Sequence, residues 1–273
     1  MIAFLVPGAL DQLTGGYLFD RHVVEGLRAM GRAVDPIELK GQYPEPDTTA
    51  RQASAEALAR LPDGSVAVID GLALLAFADC LEREARRLDV VAFVHHPLAD
   101  ETGLNERERK RVATLEAALL KLVRGVLAPS ENTARLVAAY GVPRARIAVT
   151  PPGTVKPKRP SRRRPSRGRV EFLCVASLTP RKGHLILIEA LAALADRDWH
   201  CRCIGSLTRD PETAAAVRYE IGRRGLKGRI ALEGEWPPDR LAKPTPPPMP
   251  RCCRRFTRAT AWHSRKRSPM ACR

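Results

Sequence analysis

Short apolar runs closed by turn residues alternate, along most of this chain, with longer stretches whose apolar residues recur at helical spacing. "MIAFLVPG" reads as a buried strand entering a loop, and "GGYLFDRHVVEGLRAMG" as an amphipathic helix that stops at Gly31. The same grammar predicts a strand at "AVDPIEL", a helix at about 49 to 61, the strand "SVAVID" and a helix at about 72 to 88. It continues with the strand "VVAFVHH", a helix at about 105 to 123, the strand "GVLAPS", the helix "ENTARLVAAYG" and the strand "IAVTPPG". Strands separated by helices of this length cannot be joined as hairpins, so the fold class is α/β with a parallel, doubly wound sheet.

The alternation breaks once and then restarts. Residues 156–169, "KPKRPSRRRPSRGR", hold eight Lys or Arg, three Pro and no acid, and read as an extended linker. A second unit follows: strand "RVEFLCVASL", helix "HLILIEALAALAD", strand "WHCRCIG", helix "DPETAAAVRYEIGRRG" and strand "RIALEGE". The expected organisation is a Rossmann-like domain over 1–155, the linker over 156–169, the first part of a second domain over 170–242, and an aberrant basic tail over 243–273 without a fold of its own. With only three strands, a unit of some 70 residues is marginal alone.

Charge placement narrows the function classes. The formal net charge is +16, but the linker and residues 243–273, which hold nine basic residues and no acid, together carry +17, leaving −1 for everything else. A basic binding face across the folded body is therefore unsupported, and no nucleic-acid recognition motif appears. The seven Cys have no disulfide or zinc-module spacing. Cys201 and Cys203, two apart on a strand, read as small core residues, and Cys252, Cys253, His263 and Cys272 match no metal module, so no metal site is expected. No apolar run is long enough to span a bilayer, and the N-terminus has no basic region or cleavage signal. A cytoplasmic protein is expected, at most peripheral at the inner face of a membrane.

Three strand ends carry candidate chemistry, each with an ordinary alternative. In "VASLTPRKGHLILIEAL" a strand runs into a loop with Arg181, Lys182 and Gly183 before a helix, a combination suited to a diphosphate; locally it could equally be a solvated basic turn. Gly15 and Gly16 precede a helix at the end of the first strand, where open parallel sheets bind ligands, though a Gly pair alone is weak. His95 and His96 close the strand in "AFVHHPLADETGL", where an imidazole can reach the same crevice; such a pair is also often structural.

Taken in order, "GG" at 15–16, "FVHH" at 93–96, "LAPSENTARLVAAYGVPRARIAVTPPG" at 127–153, "VASLTPRKG" at 175–183 and "LKGRIALEGE" at 226–235 resemble family 4 of the glycosyltransferases. The resemblance covers residues 1–242 and implies the GT-B fold, two Rossmann-like domains facing across a cleft, here with the second incomplete. It implies transfer of a sugar from a nucleotide-sugar donor, such as a UDP- or GDP-sugar, to an unknown small-molecule, lipid or glycan acceptor, with retained configuration and with no cofactor or metal. By the same resemblance Lys182 and Arg181 hold the donor diphosphate, and Gly15 and Gly16 let the chain approach it. His95, alternatively His96, meets the sugar as the catalytic-side imidazole. Ser177 stands among the donor-binding positions where the family commonly has Arg, and Pro152 stands where it commonly has Asn.

Past "GEWPPDRLA" the family pattern is missing: a Tyr-x-x-Ala-Asp helix, a Pro-Ser turn and a loop rich in Gly. Reading codons one base early restores much of it. Three junctions are fixed by the genetic code: Met249-Pro250 and Trp262-His263 each give Ala, and Met270-Ala271 gives a Gly where the family has one. One position cannot become the family's first Glu. A frame loss near Leu241 to Lys243 is thus expected, leaving an enzyme with most of its donor site missing and impaired or inactive. The alternative is a non-catalytic protein that binds polyanions through its basic linker and tail, where Phe256 and Trp262 alone could stack on bases.

Overall fold

A computed structural model of the protein describes residues 1–101, 103–153, 169–237 and 240–241. Six parallel strands form the first sheet: β1 (Ile2–Pro7), β2 (Val34–Leu39), β3 (Val66–Asp70), β4 (Asp89–Phe93), β5 (Gly125–Ala128) and β6 (Ile147–Val149). Their spatial order is β2-β1-β3-β4-β5-β6, so the winding reverses at β1 and a crevice opens between the carboxyl ends of β1 and β3. The helices between them are α1 (Gly15–Ala29), α2 (Thr48–Ala59), α3 (Leu81–Glu84), α4 (Glu106–Leu122) and α5 (Glu131–Ala139).

The apolar run at the N-terminus makes β1 a central strand, covered on both faces. Ala3 and Leu5 pack into one core with Leu58, Ile69, Leu74 and Ala92, while Phe4 and Val6 pack on the other side with Val24, Val68 and Phe93. That alternation is the pleat of a strand buried twice. Helix starts follow from their caps: Asp47 and Ser130 accept backbone N–H groups of α2 and α5, and Asn105 and Glu108 form a capping box at α4. Each such cap is worth about 1 kcal/mol.

The second sheet has three parallel strands in order, β7 (Val170–Val175), β8 (Trp199–Ile204) and β9 (Ile230–Leu232), joined by α6 (His184–Ala192) and α7 (Pro211–Arg223). Trp199, Ile188, Leu191, Val217 and Ile221 fill its core. At the end of β8, Gly205 has φ of +155° and lies so close to β7 that an added Cβ would sit 2.1 Å from the Ala176 carbonyl oxygen.

One predicted element is corrected. The helix expected over 72 to 88 is a 3₁₀ segment, Gly71–Phe77, followed only by the single turn of α3. Asp70 accepts the Leu72 N–H at 2.6 Å, which tightens the start, and all of Gly71–Phe77 except Leu72 is buried. The segment therefore shows almost no face to solvent and is wrapped by core rather than laid on it. Residues 154–168 and from 242 lie outside the described residues, and with them the predicted linker over 156–169 up to its last residue and the predicted tail over 243–273.

Candidate functional site

Parallel register brings the ends of β1, β3 and β4 to one edge, with Asp70 paired to Phe93 and Pro7 closing β1. His95 follows two residues after β4 and points back toward this edge. Its Nε2 lies 2.8 Å from Asp20 Oδ1 of α1 and 3.5 Å from Asp70 Oδ2. Its ring packs against Phe93 at 4.5 Å between centroids and Phe19 at 5.7 Å. Both carboxylates are buried, while about a fifth of the His95 side chain remains open.

Two acids around one imidazole fix its charge. Burial would lower the His95 pKa, but the hydrogen bonds and negative charge of Asp20 and Asp70 push it up to about 10. Burial likewise works against ionising Asp70, but His95, Asp20 and the Leu72 N–H hold its carboxyl below the usual range. Burial raises Asp20 to about 7 against the opposing pull of His95. At neutral pH the crevice thus presents an imidazolium that is anchored from behind and open in front.

Gly15 and Gly16 are the first residues of α1 rather than part of the loop before it. An added Cβ on Gly16 would meet the His95 ring at 3.6 Å, and one on Gly15 would meet nothing within 4 Å. Among the described residues no side chain caps the first turn of α1, and the His95 ring lies against it at Gly16. Tyr17, next in line, donates to the Pro7 carbonyl. It also lines a cavity of about 470 Å³ with Pro7, Gly8, Gln12, Tyr43 and Arg209. Arg209, from the second sheet's half, donates to Gln12 at 3.0 Å and so helps close it.

His96 turns the other way. Its Nε2 is 3.9 Å from Glu101 and has no hydrogen-bond partner among the described residues. Burial, then the charge of Arg181, lowers its pKa. The backbone carrying it is tied down by Glu116, buried in α4, which takes the Leu98 N–H at 3.1 and 3.0 Å.

Across from this loop stands the turn predicted to hold a diphosphate. Pro180–Lys182 forms one 3₁₀ turn after β7, and Gly183, with φ of +69°, permits the reversal into α6. Arg181 Nε donates to both Glu101 oxygens at 3.2 and 3.0 Å, bridging the two halves of the molecule. Burial and then Arg181 lower the pKa of Lys182, for which no ion pair is found among the described residues. Ser177 is half-buried, next to the close approach of Gly205. The structure thus gathers His95 and Gly16, with Gly15 next to it, at one edge, and sets Arg181 and Lys182 against the His96–Glu101 loop. Sequence reasoning missed Asp20 and Asp70; a signal was present, because Asp20 lies on the buried stripe of α1 with Tyr17 and Val24.

Two parallel α/β units meeting through strand-end loops define the GT-B class of fold. The chain shares it with a glycosyltransferase from Rickettsia africae ESF-5, at 18% identity and a TM-score of 0.58 over 88% of this chain and 69% of that one. It is similar to Anabaena Alr3699/HepE in complex with UDP and glucose, at 16% identity and a TM-score of 0.60, covering 86% and 69%. A sucrose-phosphate synthase from Thermosynechococcus elongatus matches at 16% identity and a TM-score of 0.65, covering 88% and 72%. Within this fold, residues 50–155 match the family model Glycosyltransferase Family 4, so the family 4 resemblance read from the sequence is found in the first sheet's half. No curated protein matches the chain.

Proposed function

We propose that this chain derives from an enzyme that moves a sugar from a nucleotide-sugar donor to an acceptor hydroxyl with retained configuration. The observation that carries the reading is the Arg181–Glu101 bridge at 3.0 Å, which draws the Lys182 turn toward the loop that carries His95 and His96. A pyrophosphate lying against Lys182 and the open first turn of α1 would find a cation and unpaired N–H groups. The sugar would then lie toward His95. As the bond from the sugar to the diphosphate breaks, negative charge grows on the departing phosphate, where Lys182 stabilises it. The acceptor oxygen takes that place on the sugar, and its proton leaves with the phosphate or to water. The UDP and glucose held by Alr3699/HepE support a UDP-sugar as donor.

Donor contacts supplied by the expected segment after Leu241 would be lost if the frame shifts there, so we propose that this chain binds donor weakly and turns over poorly. Calorimetric titration with UDP- and GDP-sugars, with an assay of donor hydrolysis, tests the reading: weak saturable binding supports it, and no binding to any sugar nucleotide removes it. The nucleotide sequence across codons 235–273 tests the frame. A shifted frame lacking a Tyr-Gly-Met-like loop would contradict the proposed origin of the tail.

A further inference from the structure

Beneath the Lys182 turn lies a group of side chains that the transfer reaction does not use. Cys174 of β7 and Cys203 of β8 are direct partners in the parallel register, so both thiols leave the sheet on the same face. His184, the first residue of α6, sits over them, with Nε2 3.7 Å from Cys174 Sγ. Donor atoms of the three residues lie within 4.8 Å of one another, and all three residues are more than nine-tenths buried. His184 Nδ1 is buried without a hydrogen-bond partner among the described residues.

We propose that Cys174, Cys203 and His184 form a buried site for a zinc-class divalent cation that fastens the start of α6, and with it the Lys182 turn, to the sheet. Tetrahedral zinc holds sulfur at about 2.3 Å and imidazole nitrogen at about 2.0 Å, which sets its ligands roughly 3.4–3.8 Å apart. The Cys174–His184 separation is already there, and the remaining donors need move inward by no more than about an ångström. Charge balances: the ion enters as 2+, two thiol protons leave to water, and two thiolates with a neutral imidazole give a neutral site, tolerable where a net charge would not be. Thiolates with imidazole favour zinc over magnesium or calcium.

Cobalt(II) is the probe. In the full chain with Cys252, Cys253 and Cys272 replaced by Ser, to silence the tail thiols, titration is expected to give one equivalent of bound cobalt. The sulfur-to-cobalt charge-transfer band and the intense visible bands of a tetrahedral site should appear, both displaced by zinc. Cys203→Ala in that background should remove the bands, and Cys80→Ala, just before α3 in the first sheet's half, should leave them. Absence of the bands, or bands that survive Cys203→Ala, overturns the proposal. Should Cys203→Ala fail to fold, zinc X-ray absorption on the parent decides: a shell of sulfur and nitrogen supports the site, and oxygen alone overturns it. Cobalt binding without sugar-nucleotide binding would refute the proposed transfer function and leave this site standing.

Discussion

His95 Nε2 and Asp20 Oδ1 meet at 2.8 Å although 75 residues separate them, and this contact holds the ring as an imidazolium paired with buried acid at the head of the first sheet. Asp70, 3.5 Å away, completes the pair of acids that hold the ring. The imidazole is oriented from inside the protein, so its exposed edge is available to a ligand.

The charge on His95 makes a pH prediction. Its folded pKa, about 10, lies above the unfolded value of about 6.5, so its stabilisation is fully present below about 6.5 and is lost as pH rises through 10. Asp70→Asn should lower the His95 pKa by roughly 1 to 3 units, the range for one close opposite charge. Histidine ring resonances followed by NMR against pH would show it, and the variant's stability should lose the corresponding slope between neutral and alkaline pH. An unchanged His95 titration would mean that Asp70 does not hold the ring.

Gly16 separates binding from folding. Ala in the first turn of α1 favours the helix by up to about 1 kcal/mol, and its Cβ meets the His95 ring only at ordinary contact distance, 3.6 Å. Gly16→Ala should therefore leave the thermal midpoint level or slightly raised while weakening sugar-nucleotide binding. A lowered midpoint with affinity intact would invert this account of the position.

Gly205 should behave in the opposite way. With φ of +155° and the Ala176 carbonyl 2.1 Å from where a Cβ would stand, Gly205→Ala must push β7 and β8 apart at their ends. A loss of about 3 kcal/mol or more is expected in denaturant unfolding of the second sheet's half. A loss below about 1 kcal/mol would show that the strand ends can yield.

Much of this architecture was legible because its signals are local. β1 is apolar throughout as a strand covered on both faces must be, and Asn105 with Glu108 marks the start of α4. The two-sheet plan was visible in the break at 156–169, and the Lys182 turn in its Arg-Lys-Gly run. The 3₁₀ segment Gly71–Phe77 was not, since a segment buried on nearly every side shows no polar face from which to read a period. Nor were Asp20 and Asp70 assigned to His95. Their meeting depends on strand order and on how α1 packs, which spacing along the chain does not record. The same holds for Cys174, His184 and Cys203, joined by register across β7 and β8.

Lys182 carries the central claim, that a sugar nucleotide binds across the cleft with its diphosphate on this turn. The direct measurement is calorimetric titration of the chain and of Lys182→Ala with the same UDP-sugar at moderate salt. A charge-assisted phosphate contact is worth about 1.5 to 3 kcal/mol, so the variant should bind about 10- to 150-fold more weakly with its thermal midpoint unchanged. Equal affinity in the two proteins, or no binding by either, would contradict the account.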